Sequence, residues 1–118
     1  VPFYGRGWQG AKGGDGPPKK PAAGLPKGTW EAGRFDFKDI AANYASKMKR
    51  HWHPEAKVPW LHDEKTGLMI GYDDAESMKA KAALARERKL GGVMIWEISA
   101  DDAKGTLLGA VREGLGMR

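Results

Sequence analysis

A chain of 118 residues is long enough for one domain with a modest core. Its 41% hydrophobic and 30% charged residues are the balance of an ordinary globular protein, and no apolar run approaches the roughly 20 residues of a membrane span, so no membrane partner is expected. The net charge of +5 is carried by scattered Lys and Arg rather than a block of like charges, which favours a solvated basic surface over a nucleic-acid partner. There is no cysteine, hence no disulfide frame and no thiolate metal site.

The chain opens on Val1 rather than Met and shows no signal peptide, as if processed or excised from something longer. Val1 to Tyr4 has β character and reads as the tail of a strand. Gly5-Arg6-Gly7-Trp8 reads as a turn whose glycines permit positive φ and close backbone approach, with a cation and an aromatic surface side by side. Gln9 to Gly28, rich in Gly, Pro and Lys, is expected to be a long loop, with Lys19-Lys20 solvated. Gly28-Thr29-Trp30-Glu31-Ala32-Gly33 then sets a Trp beside a Glu between glycines. An aromatic ring can stack on the C–H face of a sugar, and a carboxylate can accept from hydroxyls or amides; the alternative is a core Trp at a strand end.

From Phe35 to Arg50, the apolar residues Phe37, Ile40, Ala41, Tyr44 and Met48 recur at three- and four-residue intervals, predicting one helix with Asp36 as N-cap. The period changes between Arg50 and Tyr72. Short β-rich runs around Trp52, Val58 to Leu61 and Leu68 to Tyr72 are separated by Pro54, Pro59 and the turn Asp63 to Gly67, which predicts an antiparallel hairpin. His51 and His53 share a strand face and His62 follows. A metal site needs three or four converging ligands, so surface histidines are preferred and no metal or other cofactor is expected.

Asp73-Asp74-Ala75-Glu76 opens the longest predicted helix, to about Lys89, with a narrow stripe of Ala75, Met78, Ala82 and Ala85 suited to close packing on a sheet. Gly91-Gly92 ends it. Val93 to Ile98, apolar except Glu97, reads as a strand buried on both faces, with Trp96 and Glu97 near its C-terminal end. Ser99 to Asp102 ends that strand and could cap a last helix, Ala103 to Leu115, with Leu107, Leu108, Val111 and Leu115 inward. Helix, buried strand, helix is half of a repeating parallel α/β architecture.

Four blocks stand in order: VPFYGRGW, GTWEAGRFDFKDI, AKVPWLHDEKTGLMIGYDDAESMKAKAALA and LGGVMIWEISADD. Together they resemble the C-terminal portion of a glycoside hydrolase family 18 chitinase, of the bacterial type with a chitinase insertion domain. That resemblance implies an α+β insertion domain plus the last βα units of an incomplete (β/α)8 TIM barrel. Residues 1–4 would be the end of barrel strand seven, 5–72 the insertion domain, and 73–118 helix seven, strand eight and helix eight. It further implies a substrate site in which Trp96 forms the floor, Glu97 contacts sugar beside it, Tyr4 and Arg6 line the cleft, and Trp30 and Glu31 form the wall; plain core is the other role open to Trp96.

Family catalysis rests on a D-G-x-D-x-D-x-E motif whose last Glu is the general acid, with the substrate's acetamido group as nucleophile in a retaining mechanism. This sequence has no such motif, so no catalytic residue is assigned. The expectation is a segment of a secreted chitinase that binds chitin or chitooligosaccharide and does not hydrolyse it by itself. The alternative is a stand-alone, non-catalytic chitin-binding module. Further partners would be the rest of the barrel or a second copy covering bare apolar faces.

Overall fold

The computed structural model describes residues 1–12 and 24–117. Lys19 and Lys20 lie outside them. The architecture is α+β, built on one antiparallel sheet of five strands: β1 (Tyr4–Trp8), β2 (Arg34–Asp36), β3 (Lys49–His53), β4 (Val58–His62) and β5 (Met69–Gly71). Their order is β2-β1-β5-β4-β3. Between β2 and β3 the chain makes a short helix, α1 (Phe37–Asp39), which runs on as a π-helical turn over Ile40–Tyr44. Two longer helices, α2 (Ala75–Glu87) and α3 (Thr106–Gly114), close the chain.

The expected turn at Gly5 to Trp8 is instead the strand β1, paired with β2 on one side and β5 on the other. Its two glycines are there for closeness rather than for positive φ. A Cβ on Gly5 would stand 2.8 Å from Cδ1 of Ile40, and one on Gly7 would stand 2.6 Å from Cε2 of Phe35. The bare side of β1 is thereby pressed onto the small core of Phe35, Ile40, Leu61 and Ile70, all fully buried. Strand alternation sends Tyr4, Arg6 and Trp8 to the other face.

The expected helix over Phe35 to Arg50 is shorter than its pattern suggests. Phe37 and Ile40 are buried as the spacing requires, but Arg34–Asp36 is strand and the chain re-enters the sheet at Lys49. Asp36 occupies the N-cap position without capping, because its carboxylate is engaged elsewhere. The hairpin between β4 and β5 forms as expected: Asp63 accepts from the backbone N–H of Lys65 (3.0 Å) and from Thr66 Oγ1 (2.9 Å), and Gly67 takes φ of 72°.

A second core joins Phe3, Phe37, Met78, Ala82, Ala100, Leu107, Ala110 and Val111. Asp74 caps α2 through a reciprocal pair with Ser77, both bonds at 3.0 Å. The small-residue stripe of α2 meets α3 rather than the sheet: a Cβ on Gly114 would lie 2.6 Å from Cβ of Ala82. Asp101 and Asp102 hold the start of α3, Asp101 accepting from the N–H groups of Leu107 (3.0 Å) and Leu108 (2.9 Å).

The segment 93–98 departs from expectation. It forms no continuous strand: among the described residues its bridge is the parallel one of Trp96 with Pro2, and Ile98 already opens a 3-10 turn, Ile98–Ala100. Val93 and Ile95 pack on the second core, whereas Met94, Trp96 and Ile98 are 70%, 56% and 61% exposed. Among the described residues, helices cover one of its faces and nothing covers the other. His62 is also a correction. It is buried, its Nε2 2.9 Å from the carbonyl oxygen of Ala11, because β4 carries it under residues 10–12.

Candidate functional site

Two parts of the chain bring the site residues together, and their backbones are joined. Trp96 N–H donates to the carbonyl of Val1 (3.0 Å), and its own carbonyl accepts from Phe3 N–H (2.8 Å). Phe3 carbonyl in turn accepts from Phe37 N–H (3.0 Å). Phe3 is wholly buried, so this ladder fixes Trp96 beside the start of β1 and the start of α1. The Trp96–Glu97 peptide is cis.

Trp30 stands on a tight turn. Thr29 N–H donates to Arg34 carbonyl (2.8 Å), Gly33 N–H to Pro26 carbonyl (2.7 Å), and Asp36 N–H to Thr29 Oγ1 (3.0 Å). Gly28 is obligatory there, since a Cβ would fall 2.1 Å from the carbonyl oxygens of both Glu31 and Arg34. The turn lifts the indole into solvent, 80% exposed, and its Nε1 donates to Oδ2 of Asp36 at 2.9 Å. Trp30 thus stands outside both cores of the described residues.

Two cations stand near the Tyr4 ring. The guanidinium carbon of Arg34 is 4.3 Å from its ring centroid and that of Arg6 is 5.7 Å away. Arg34 also reaches Glu31 (3.4 Å), which places Glu31 beside the Tyr4 group. Tyr4 and Arg6 further line an open cavity of about 330 Å³ with Pro59, Tyr72, Asp73 and Lys81. Asp73 is buried there: Lys81 Nζ donates to its Oδ2 at 2.7 Å, and its Oδ1 has no partner among the described residues.

A single lysine connects the Trp30 side to the Trp96 side. Lys38 Nζ donates to the carbonyl of Ser99 (2.8 Å) and stands 3.8 Å from the same Asp36 Oδ2 that holds Trp30. Ser99 Oγ donates to Glu97 Oε1 (2.5 Å). A polar chain therefore runs Trp30, Asp36, Lys38, Ser99, Glu97. The residues singled out from sequence thus fall into a Trp30–Glu31–Tyr4–Arg6 group and a Trp96–Glu97 group, with Asp36 and Lys38 between them. Glu31 pairs with Arg34 (3.4 Å) and Asp36 with Lys38 (3.8 Å), while Glu97 accepts from the Ser99 hydroxyl.

Arg34, Asp36, Lys38 and Ser99 were missed by sequence reasoning. Asp36 and Lys38 fall inside the helix expected from Phe35 and Arg34 stands just before it; only the alternation R-F-D-F-K sets Arg34, Asp36 and Lys38 apart from buried Phe35 and Phe37. Chemically the group offers flat aromatic faces and charged donors and acceptors. Among the described residues, no three His, Asp or Glu converge as metal ligands.

Comparison with known proteins places the chain in a wider group. Residues 1–101 match the sequence profile described as glycosyl hydrolases family 18. The chain is 49% identical over 107 residues to chitinase A1 of Niallia circulans, covering 88% of this chain and 15% of that protein. Chitinase ChiA74 from Bacillus thuringiensis superposes with a TM-score of 0.83 at 37% identity, over 99% of this chain and 22% of that one. Human YKL-39, described as a pseudo-chitinase with retained chitooligosaccharide binding, superposes with a TM-score of 0.85 at 28% identity, over 98% and 34% respectively. The chain thus spans between about a seventh and a third of the length of these relatives.

Proposed function

Because the chain belongs to glycosyl hydrolase family 18, we propose that it supplies wall and floor of a cleft for chitin, the β-1,4 polymer of N-acetylglucosamine. Trp96 is the floor and Trp30 with Glu31 the wall, while Glu97, Tyr4 and Arg6 contact sugar hydroxyl and acetamido groups. In this proposal residues 1–4 and 73–118 belong to a TIM barrel, and 5–72 form the insertion domain between them. One observation carries it: the exposed indole of Trp30 is held at one end of a polar chain through Asp36, Lys38, Ser99 and Glu97, and the exposed Trp96 is the chain neighbour of Glu97 at the other end. Flat aromatic faces with polar groups beside them suit the C–H faces and hydroxyls of a pyranose.

The parent reaction would be the retaining hydrolysis of chitin with participation of the substrate acetamido group. The sequence holds no D-G-x-D-x-D-x-E motif, so this chain by itself binds and does not cut. Secretion of the parent is part of the same proposal and rests on the family resemblance. The second proposal, a chitin-binding module acting without catalysis, draws support from YKL-39, which is described as keeping binding as a pseudo-chitinase. The test is retention of the full chain on chitin beads, with Trp30→Ala alongside. Retention that the substitution weakens supports the site; equal retention of both chains, or none of either, refutes it.

A further inference from the structure

Lys38 stands where the two sides of the site meet. Its side chain is 45% exposed, one contact goes to the Ser99 carbonyl (2.8 Å), and a longer one goes to Asp36 (3.8 Å). An ammonium carries three donors, so this one keeps donor capacity toward solvent at the seam. The neighbouring carboxylates are engaged: Asp36 by the Trp30 indole, Glu97 by the Ser99 hydroxyl, Glu31 by Arg34.

We propose that Lys38 is a ligand-contacting, specificity-determining residue that donates to an acetamido or hydroxyl oxygen of the sugar and disfavours a deacetylated unit bearing an ammonium. The inference rests on the site being a chitooligosaccharide site. A neutral acetamido carbonyl accepts from the lysine in a charge-assisted bond. A glucosamine amine, protonated, places like charge against like charge. Discrimination is a difference between two affinities, and a repulsive element raises it as surely as an attractive one. Glu31 and Glu97 pull the other way on a ligand ammonium, but Oε1 of each already takes a protein donor, from Arg34 and Ser99, which weakens that pull.

The experiment titrates the full chain calorimetrically with the tetramer of N-acetylglucosamine and with the tetramer of glucosamine, at mildly acidic pH where the free amine is protonated. Variants are Lys38→Met, Lys38→Gln and Lys38→Arg, each checked for thermal midpoint. Lys38→Gln keeps a donor for Ser99 while removing the charge. Expected is about a tenfold loss of affinity for the acetylated tetramer in the Met and Gln chains, the worth of one hydrogen bond to a charged group. Affinity for the deacetylated tetramer should be unchanged or improved, and Lys38→Arg should keep the wild-type ratio. Equal losses for both ligands would make Lys38 a strut between wall and floor and overturn the inference, as would unchanged binding of the acetylated tetramer. A wild-type chain that binds neither tetramer overturns the sugar site itself, and the inference with it.

Discussion

Two glycines in α3 should respond to the same substitution with opposite signs. Gly109 is exposed, and a Cβ built on it meets nothing within 4 Å. Alanine there gains helix propensity and loses backbone entropy in the unfolded chain, a stabilisation of about 0.5–1 kcal/mol. Gly114 is buried against α2. A Cβ there lies 2.5 Å from the carbonyl oxygen of Lys79, 2.6 Å from Cβ of Ala82 and 3.1 Å from the backbone nitrogen of Ala83. These are backbone and methyl atoms with no rotamer to retreat into, so the helices must part. Overpacking of this kind costs roughly 1–3 kcal/mol. It exceeds the propensity gain of about 1 kcal/mol over most of its range. One kcal/mol moves the midpoint of a domain of this size by roughly 4 °C. Thermal unfolding followed by circular dichroism should therefore show Gly109→Ala a few degrees above wild type and Gly114→Ala a few degrees below. If Gly114→Ala rose as Gly109→Ala does, the helix contact drawn here would be wrong.

Asp101→Ala should destabilise by about 1–2 kcal/mol, because its carboxylate accepts from two orphan N–H groups at the start of α3; urea unfolding reads the loss directly. Trp30→Ala should change stability by under about 1.5 kcal/mol, the range of one ordinary hydrogen bond, since the indole is exposed; a larger drop in urea midpoint would make Trp30 a packing residue. His51 is held below its ordinary pKa by burial first, then by Lys49 and His62, with Glu64 opposing. The unfolded chain therefore binds more protons, so stability falls as pH drops from above about 6.5 toward the lower folded value. His51→Gln should flatten that slope; an unaltered pH dependence of the urea midpoint would count against the shift.

How much of this was legible depended on what each pattern encodes. The hairpin at Asp63 to Gly67 and the helix capped by Asp74 are local: turn and cap residues stand next to the elements they specify, and both form. Phe37, Ile40 and Tyr44 carried helical spacing truly, but the spacing could not say that the chain enters as the strand Arg34–Asp36 and leaves as β3. The Gly5 to Trp8 stretch misled because glycine signals either freedom or closeness, and only Ile40 and Phe35 across the sheet decide which. Segment 93–98 misled in another way. Five apolar residues among the six imply burial on two faces, whereas among the described residues only the face of Val93 and Ile95 is packed. Within the site, Trp30, Glu31, Trp96 and Glu97 stood out by type, while Asp36 and Lys38 are ordinary residues made special by Trp30 on one side and Ser99 on the other.

The most direct measurement puts binding and turnover on one sample. The purified chain, its intact mass recorded, is titrated with a chitooligosaccharide and assayed with a fluorogenic chitooligosaccharide. A floor and wall without the acid motif should bind, weaken on Trp96→Ala, and release no fluorophore at the mass of this chain. Turnover that follows that mass through purification would mean that one of its own carboxylates, Glu97 or Glu31 first, acts as the acid, contradicting a site that only binds.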